Sequence, residues 1–255
     1  MAIKPQAIKK NPLAWLTAQP FAHRGLHDAA NGIPENSMSA FTRAVAAGHG
    51  IELDVQVSFD GSAIVFHDET LERLTDMEGP IVNLTSARLR EIKLKNSDQT
   101  IPTLDMVLTL VGGQVPVLIE AKSLLEADFH PLCFAIRRAL EGYRGPVAVM
   151  SFDPRVIAWF GRNAGKLVRG LVVTDRTPKT NNILERLGWL RLFAIWRAKP
   201  NFIAYDVKSL PSTLSRKLRD NHIPLLTWTV RTAEDRAVAR DHADNIIYED
   251  SVSSS

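Results

Sequence analysis

The sequence predicts an α/β fold, a closed (β/α)8 barrel, on three observations. Its 255 residues match the usual size of that barrel. Short apolar runs alternate with amphipathic segments of helical period, the pattern of a parallel sheet with crossover helices. Polar residues recur at the carboxyl ends of successive strands, where such barrels carry their chemistry. The competing fold is a doubly wound open sheet. It is disfavoured because no glycine-rich phosphate-binding turn follows the first strand.

The strands are expected at 21–23, 51–57, 115–121, 147–150, 168–172, 202–206, 225–229 and 245–247. The helical segments are expected at 37–47, 103–111, 126–141, 154–163, 182–198, 211–221 and 232–240. We expect one barrel domain over residues 1–255. The stretch 59–101 is too long for a strand-to-helix loop and reads as an insertion after strand two. Inside it, 63–66 reads as a short strand and 83–92 as a short capped helix. Few residues follow the last strand, so the final helix is expected to be short or absent.

Composition narrows the function. A hydrophobic content of 45% with 23% charged residues is that of a globular protein with a sizeable core. The net charge of +3 is evenly spread, which gives no argument for nucleic acid and is compatible with an anionic substrate or a weak affinity for acidic lipid headgroups. Cys133 is the one cysteine, which excludes an intrachain disulfide and an all-cysteine metal site and fits a reducing compartment. Residues 1–20 hold no apolar run of signal-peptide length, and no window reaches a transmembrane span, so the expected location is the cytoplasm.

The chemistry is concentrated between residues 21 and 68. The run Ile51-Glu52-Leu53-Asp54-Val55-Gln56-Val57 alternates with period two, placing Glu52, Asp54 and Gln56 on one face. An edge strand with a wet face would show the same pattern. In a barrel strand those carboxylates point inward, and burying two of them costs several kcal/mol each unless a positive charge lies between. A divalent cation with oxygen ligands answers that need. His23-Arg24-Gly25 ends strand one, Glu120-Ala121-Lys122 ends the next parallel strand, and Trp228 ends the seventh. His67-Asp68 follows the short strand that opens the insertion.

Taken in order, His23-Arg24-Gly25, Pro34-Glu35-Asn36-Ser37, Glu52-Leu53-Asp54-Val55, Val65-Phe66-His67-Asp68-Glu69-Thr70-Leu71-Glu72-Arg73, Ile101-Pro102-Thr103-Leu104 and Ile119-Glu120-Ala121-Lys122 resemble the glycerophosphodiester phosphodiesterase family. A weaker match continues at Thr227-Trp228-Thr229-Val230. The resemblance implies a barrel with an insertion after strand two. It also implies metal-dependent hydrolysis of glycerophosphodiesters to sn-glycerol 3-phosphate and an alcohol. Carried over by residue, it implies Glu52, Asp54 and Glu120 as ligands of one divalent cation, Mg2+ or Ca2+, with Mn2+ as a further candidate. It implies His23 and His67 as the acid/base pair, Arg24 and Lys122 at the phosphate, and Trp228 at the glycerol. Three positions depart from the family pattern. Ser37 stands for the commoner Thr and Ala121 for the commoner Ile. Tyr248-Glu249 stands where Thr-Asp is usual, leaving the contribution of the eighth strand open.

The chemistry is consistent with those roles. A phosphodiester is a stable anion, so cleavage needs charge neutralisation, a base for the nucleophile and an acid for the leaving oxygen. Arginine can hold phosphate oxygens bidentately, and histidine titrates near neutrality. One histidine would deprotonate the glycerol 2-hydroxyl for attack on phosphorus, while the other protonates the departing alcohol. Direct attack by water is the alternative, and the sequence does not decide which histidine is acid and which base.

Other residues carry blander readings. His27, His49, His130, His222 and His242 read as surface or packing residues. Asp68 reads equally as an orienting group or as a turn residue before a helix-like 69–74. Glu35 and Asn36 read as a helix cap and as support for the site, and Asp206 as a polar contact. The segment 182–198 is apolar and basic, with Trp189, Phe193 and Trp196 at near-helical spacing. Its default role is an outer barrel helix. The surplus apolar surface, with Arg186, Arg191 and Arg197, suggests docking on a membrane surface or a partner subunit. With a membrane surface, lysophospholipase D or related lipid phosphodiesterase activity becomes the alternative function.

Overall fold

The computed structural model describes residues 11–123, 128–175 and 197–250. The barrel strands are β1 (Phe21–His23), β2 (Gly50–Val57), β4 (Val117–Ala121), β5 (Val147–Ser151), β6 (Val168–Val173), β7 (Phe202–Asp206), β8 (Leu225–Val230) and β9 (Asn245–Tyr248). Each pairs in parallel with the next, and β1 pairs with both β2 and β9, which closes the ring. A further strand, β3 (Ala63–Val65), runs antiparallel to the end of β2. The expected barrel is therefore the observed one.

Helices lie between these strands: α1 (Met38–Ala46), α2 (Ser86–Leu89), α3 (Leu104–Val111), α4 (His130–Ala139), α5 (Pro154–Asn163), α6 (Thr213–Asp220) and α7 (Ala233–His242). Their starts follow capping chemistry. Ser37, Thr85, Thr103, Asp153, Ser212 and Thr232 each accept a hydrogen bond from a first-turn N–H. The third barrel strand begins at Val117 rather than 115, because Pro116 has no N–H to give the ladder. All but the last two residues of the helical segment expected at 182–198, any helix after residue 250, and the aromatic residues of the surface expected to dock lie outside the described residues; 197–198 are helical. Among the described residues no helix is long and apolar enough to cross a membrane.

Alternation along the strands sorts residues into two cores. Outward residues such as Ile51, Leu53 and Val55 pack with Phe41 and Ala44 of α1 and Val107 and Val111 of α3. Inward residues fill the amino half of the barrel: Phe21, Leu118, Ala148, Met150, Val172, Phe202, Ala204, Leu226 and Ile247. Two rings need missing side chains opposite them. A Cβ on Gly50 would sit 2.5 Å from the Phe21 ring, and one on Gly170 would sit 2.2 Å from the Phe202 ring. Leu16, from a 3-10 turn at Ala14–Thr17, joins this cluster from below. Asn245 ties it there through its amide, which donates to the Leu16 and Gln19 carbonyls at 2.8 Å. The apolar floor leaves only the carboxyl ends of the strands for polar chemistry.

The insertion has its own small core of Ile64, Phe66, Leu71, Ile81, Leu89, Ile92, Leu94 and Ile101. Its 69–74 stretch is a turn rather than a helix. Thr70 bridges antiparallel to Pro80, and the Leu71 N–H donates to the Gly79 carbonyl, which pulls the chain into a hairpin-like path.

Candidate active site

His23, Glu52, Asp54 and Glu120 sit in neighbouring register positions at the carboxyl end of the barrel. His23 pairs with Glu52 across β1 and β2, and Asp54 pairs with Glu120 across β2 and β4. All four are buried. One carboxylate oxygen from each of Glu52, Asp54 and Glu120 lies within 4.8 Å of the others. Glu52 Oε1 is buried without a hydrogen-bond partner. Burial, with the charges of Asp54 and Glu120, pushes the Glu52 carboxyl well above its ordinary pKa. Asp54 is buried as deeply, yet its pKa lies below the ordinary value. The burial penalty there is outweighed by Lys122 and Arg24, with His67 and His23 adding to them. The uncompensated negative charge therefore falls on Glu52. An orphaned oxygen among three converging carboxylates fits a hard divalent cation.

The His23-Arg24-Gly25 turn explains itself physically. Arg24 has φ 56° and Gly25 φ 79°, so the chain turns left-handed straight out of β1. The turn aims the Arg24 N–H at Glu52 Oε2, 3.1 Å away. Gly25 is needed there because a Cβ would lie 2.9 Å from the Ala40 Cβ of α1. The Arg24 guanidinium donates to Glu35 Oε1 at 2.7 Å. Its Nε lies 3.2 Å from Asp54 Oδ2 but makes no hydrogen bond, so that pair is held by charge alone.

The Pro34-Glu35-Asn36-Ser37 turn divides its labour differently from expectation. The cap of α1 is Ser37, not Glu35 or Asn36, because Asn36 is in the left-handed region at φ 55° and turns its amide inward. That amide donates to Asp54 Oδ2 at 3.0 Å. Glu35 takes Arg24 on one side and Arg73 of the insertion on the other, at 2.7 and 2.8 Å. Burial opposes ionisation of Glu35, but those two guanidiniums hold its pKa below the usual range.

Both histidines have a carboxylate on Nδ1. His23 Nδ1 lies 2.5 Å from Glu249 Oε1, and His67 Nδ1 lies 2.6 Å from Asp68 Oδ1. Each carboxylate is in turn gripped by an arginine. Arg231 donates to Glu249 at 2.6 and 2.8 Å, and Arg73 grips Asp68 with Nε and Nη2. Burial would raise the Asp68 carboxyl, yet the bonds from Arg73 and His67 bring it down to about 2. Glu249 is likewise held below the usual carboxylate range by His23 and Arg231. Asp68 thus orients a histidine rather than serving only the turn. Lys122 donates to Glu120 Oε1 at 2.9 Å and stands 3.7 Å from Asp54 Oδ1.

Two cavities open at this end of the barrel, and Phe152 lines both. One, of about 430 Å³, is lined by His67, Glu120 and Lys122. The other, of about 640 Å³, is lined by Trp228, Asp206 and Arg231. The Trp228 indole N–H donates to the Ala204 carbonyl at 2.9 Å, which leaves its ring as wall. Asp206 accepts from Thr174 and caps the turn at Lys208, a structural contact at the cavity edge. A larger hollow of about 810 Å³, lined by Arg216, Arg219, His222 and His242, lies at the opposite end and shares no residue with this cluster. His27, read as packing, lies close enough to feel the charges of Glu249, Glu35, His23 and Arg24; burial, its largest influence, lowers its pKa. His49, also read as packing, bonds the Tyr248 hydroxyl at 2.6 Å.

Glu249, Arg73 and Arg231 were not legible as site residues. Glu249 carries the one available signal, since it too follows a strand at its carboxyl end.

Residues 23–251 match the model of the glycerophosphoryl diester phosphodiesterase family. A glycerophosphodiester phosphodiesterase of Caldanaerobacter subterraneus subsp. tengcongensis is 42% identical over 245 residues, covering 90% of this chain and 93% of the relative. Two solved structures share the fold at low identity. A phosphodiesterase of Oleispira antarctica, in complex with the product sn-glycerol-3-phosphate, superimposes with a TM-score of 0.76 at 20% identity, covering 91% of this chain and 93% of that one. A glycerophosphodiester phosphodiesterase of Thermotoga maritima does so at 0.68 and 24%, covering 90% and 94%. Barrel, buried acidic cluster and relatives together define a phosphoric diester hydrolase. Within that class the chain belongs to the glycerophosphoryl diester phosphodiesterase family.

Proposed function

We propose that this chain hydrolyses glycerophosphodiesters to sn-glycerol 3-phosphate and a free alcohol, with a divalent cation and two histidines. The carrying observation is the buried trio Glu52, Asp54 and Glu120 with an unpaired Glu52 oxygen, flanked by two carboxylate-oriented imidazoles. The three carboxylates would hold the cation, which when bound supplies charge neutralisation at the phosphate. Trio, Arg24 and Lys122 sum to one negative charge, and a divalent ion turns that to one positive. The site then suits a diester monoanion. Arg24 and Lys122 already lie against these carboxylates and would turn toward the phosphate oxygens.

The two cavities support a division of roles. Glu249, the partner of His23, is bonded to Arg231 on the wall of the Trp228 cavity, so His23 belongs with the glycerol. His67 lines the other cavity and belongs with the departing alcohol. In the first step His23 takes the proton of the glycerol 2-hydroxyl, whose oxygen bonds to phosphorus. The bond from phosphorus to the head-group oxygen breaks, and His67 gives that oxygen a proton. In the second step a water gives a proton to His67 and attacks the cyclic phosphate, and His23 returns its proton to the 2-oxygen. Both histidines end as they began.

The test is product analysis with glycerophosphocholine and lysophosphatidylcholine, with and without chelator. Glycerol 3-phosphate from the first substrate, abolished by chelator, is expected. Turnover of lysophosphatidylcholine alone would replace this reading by a lysophospholipase D. A diester lacking the 2-hydroxyl should resist cleavage, and its rapid turnover would exclude attack by that hydroxyl.

A further inference from the structure

The cavity beside His67 has charged groups of two kinds. Lys122 lies against Glu120 and Asp54, at 2.9 and 3.7 Å, and is the group assigned above to the phosphate, while Asp68 is bonded to His67 and Arg73. Glu69 also lines the cavity. It is exposed, and among the described residues its carboxylate has no hydrogen-bond or ion-pair partner. Phe152, a residue 45% exposed, lines the same cavity, its ring packed at right angles to Trp228 with centroids 5.5 Å apart. An exposed aromatic residue and an unpaired acidic residue thus line one space with His67, the histidine assigned above to the leaving oxygen.

We infer that this cavity is the subsite for the departing alcohol and that it selects a cationic head group, an ammonium such as choline or ethanolamine, over a neutral polyol. The inference rests on the phosphodiesterase reading above. An ammonium gains from the Glu69 carboxylate by charge and from the Phe152 face by cation–π attraction. A glycerol or inositol head group has no charge with which to collect either gain. Lys122 does not oppose the cation, because with substrate bound it is paired with the phosphate anion. At an exposed site each contact is worth about a threefold preference, so the pair gives roughly tenfold.

The experiment compares kcat/KM for glycerol 3-phosphate release from glycerophosphocholine and glycerophosphoglycerol, using the full chain with divalent metal. The wild type should favour choline by about tenfold, and added salt should shrink the preference by screening the Glu69 charge. Glu69→Gln and Phe152→Leu should each cut the choline-to-glycerol ratio about threefold, chiefly through KM for the choline ester. Glu69→Lys should cut it further. The ratio is internal to each variant, so partial loss of folded protein does not change it. A wild-type ratio at or below one, or a ratio unmoved in both Glu69→Gln and Phe152→Leu, overturns the inference while leaving the phosphodiesterase reading intact. Failure to release glycerol 3-phosphate from any diester overturns both.

Discussion

A carboxylate at Nδ1 fixes which nitrogen a histidine can offer to substrate. With Glu249 on His23 and Asp68 on His67, Nε2 is the nitrogen each ring has left to offer, and in the proposed mechanism the paired carboxylate would stabilise the imidazolium formed on proton transfer. His23→Ala and His67→Ala should each lower kcat by about 10²–10⁴ with little change in metal affinity. Asp68→Asn and Glu249→Gln keep the shape of the partner and remove its charge. Each should lower kcat by about 10–100-fold, the usual scale for supporting contacts, and shift the pH–rate profile. A profile and kcat unchanged in both variants would show that these carboxylates do not act through the histidines. Residues of the acidic trio should behave differently, because in the proposed mechanism their loss is a loss of metal. Glu52→Gln removes the proposed ligand with the unpaired oxygen, so it should raise the metal concentration needed for half activity.

At the scale of elements, the strands were legible and the long-range partners were not. β2 announces itself by alternation: Glu52 and Asp54 are buried as expected, and Gln56 is half-buried and lines the cavity beside His67. Gly25 and Asn36 were legible as motif members, but their left-handed backbone shows only in three dimensions. The pairing of His23 with Glu249 spans 226 residues and exists only because β9 closes the ring on β1. No local pattern encodes it, and Tyr248-Glu249 also departs from the expected family ending. Arg73 was hidden for a related reason: it sits in a turn of the insertion, yet reaches Glu35 and Asp68 at the mouth. Through it the insertion is joined to both the Arg24 and the His67 sides of the site. Arg73→Met should therefore destabilise the fold at neutral pH. Asp68 is lowered from an ordinary 3.8 to about 2, and Glu35 is also lowered, so their stabilisation is present above the unfolded values near 4. It is lost as pH falls through the depressed folded values. The melting-temperature gap between wild type and Arg73→Met should be full at pH 6–7 and close as pH falls from about 4 toward 2. A gap constant across that range would contradict the ion-pair account. The barrel floor offers a second test: Gly170→Ala pushes a Cβ into the Phe202 ring and should cost about 1–3 kcal/mol, partly recovered by Phe202→Leu.

The whole molecule separates its two tasks along the barrel axis. Apolar side chains and two glycine-backed phenyl rings fill the amino end, so the apolar packing inside the barrel lies away from the mouth. At the mouth, repulsion among three buried carboxylates is only partly relieved by Arg24 and Lys122, and Glu52 carries the remainder. A structure that keeps such repulsion in its native state is destabilised by it, and an ion that binds only the folded site removes it. Divalent metal should then raise the melting temperature as well as permit turnover. At one hundred times the dissociation constant, mass action alone gives about 2.7 kcal/mol. For a chain of this size that is about 5–10 °C. Thermal melts with Mg2+, Ca2+ and Mn2+ against a chelated control measure it without any substrate. Wild type should shift with at least one ion. Glu52→Gln should start from a higher melting temperature in chelator, since it relieves the repulsion, and should gain less from metal. If no ion moves the wild-type melt, the trio is not a metal site, and the high-lying Glu52 carboxyl must be held protonated instead.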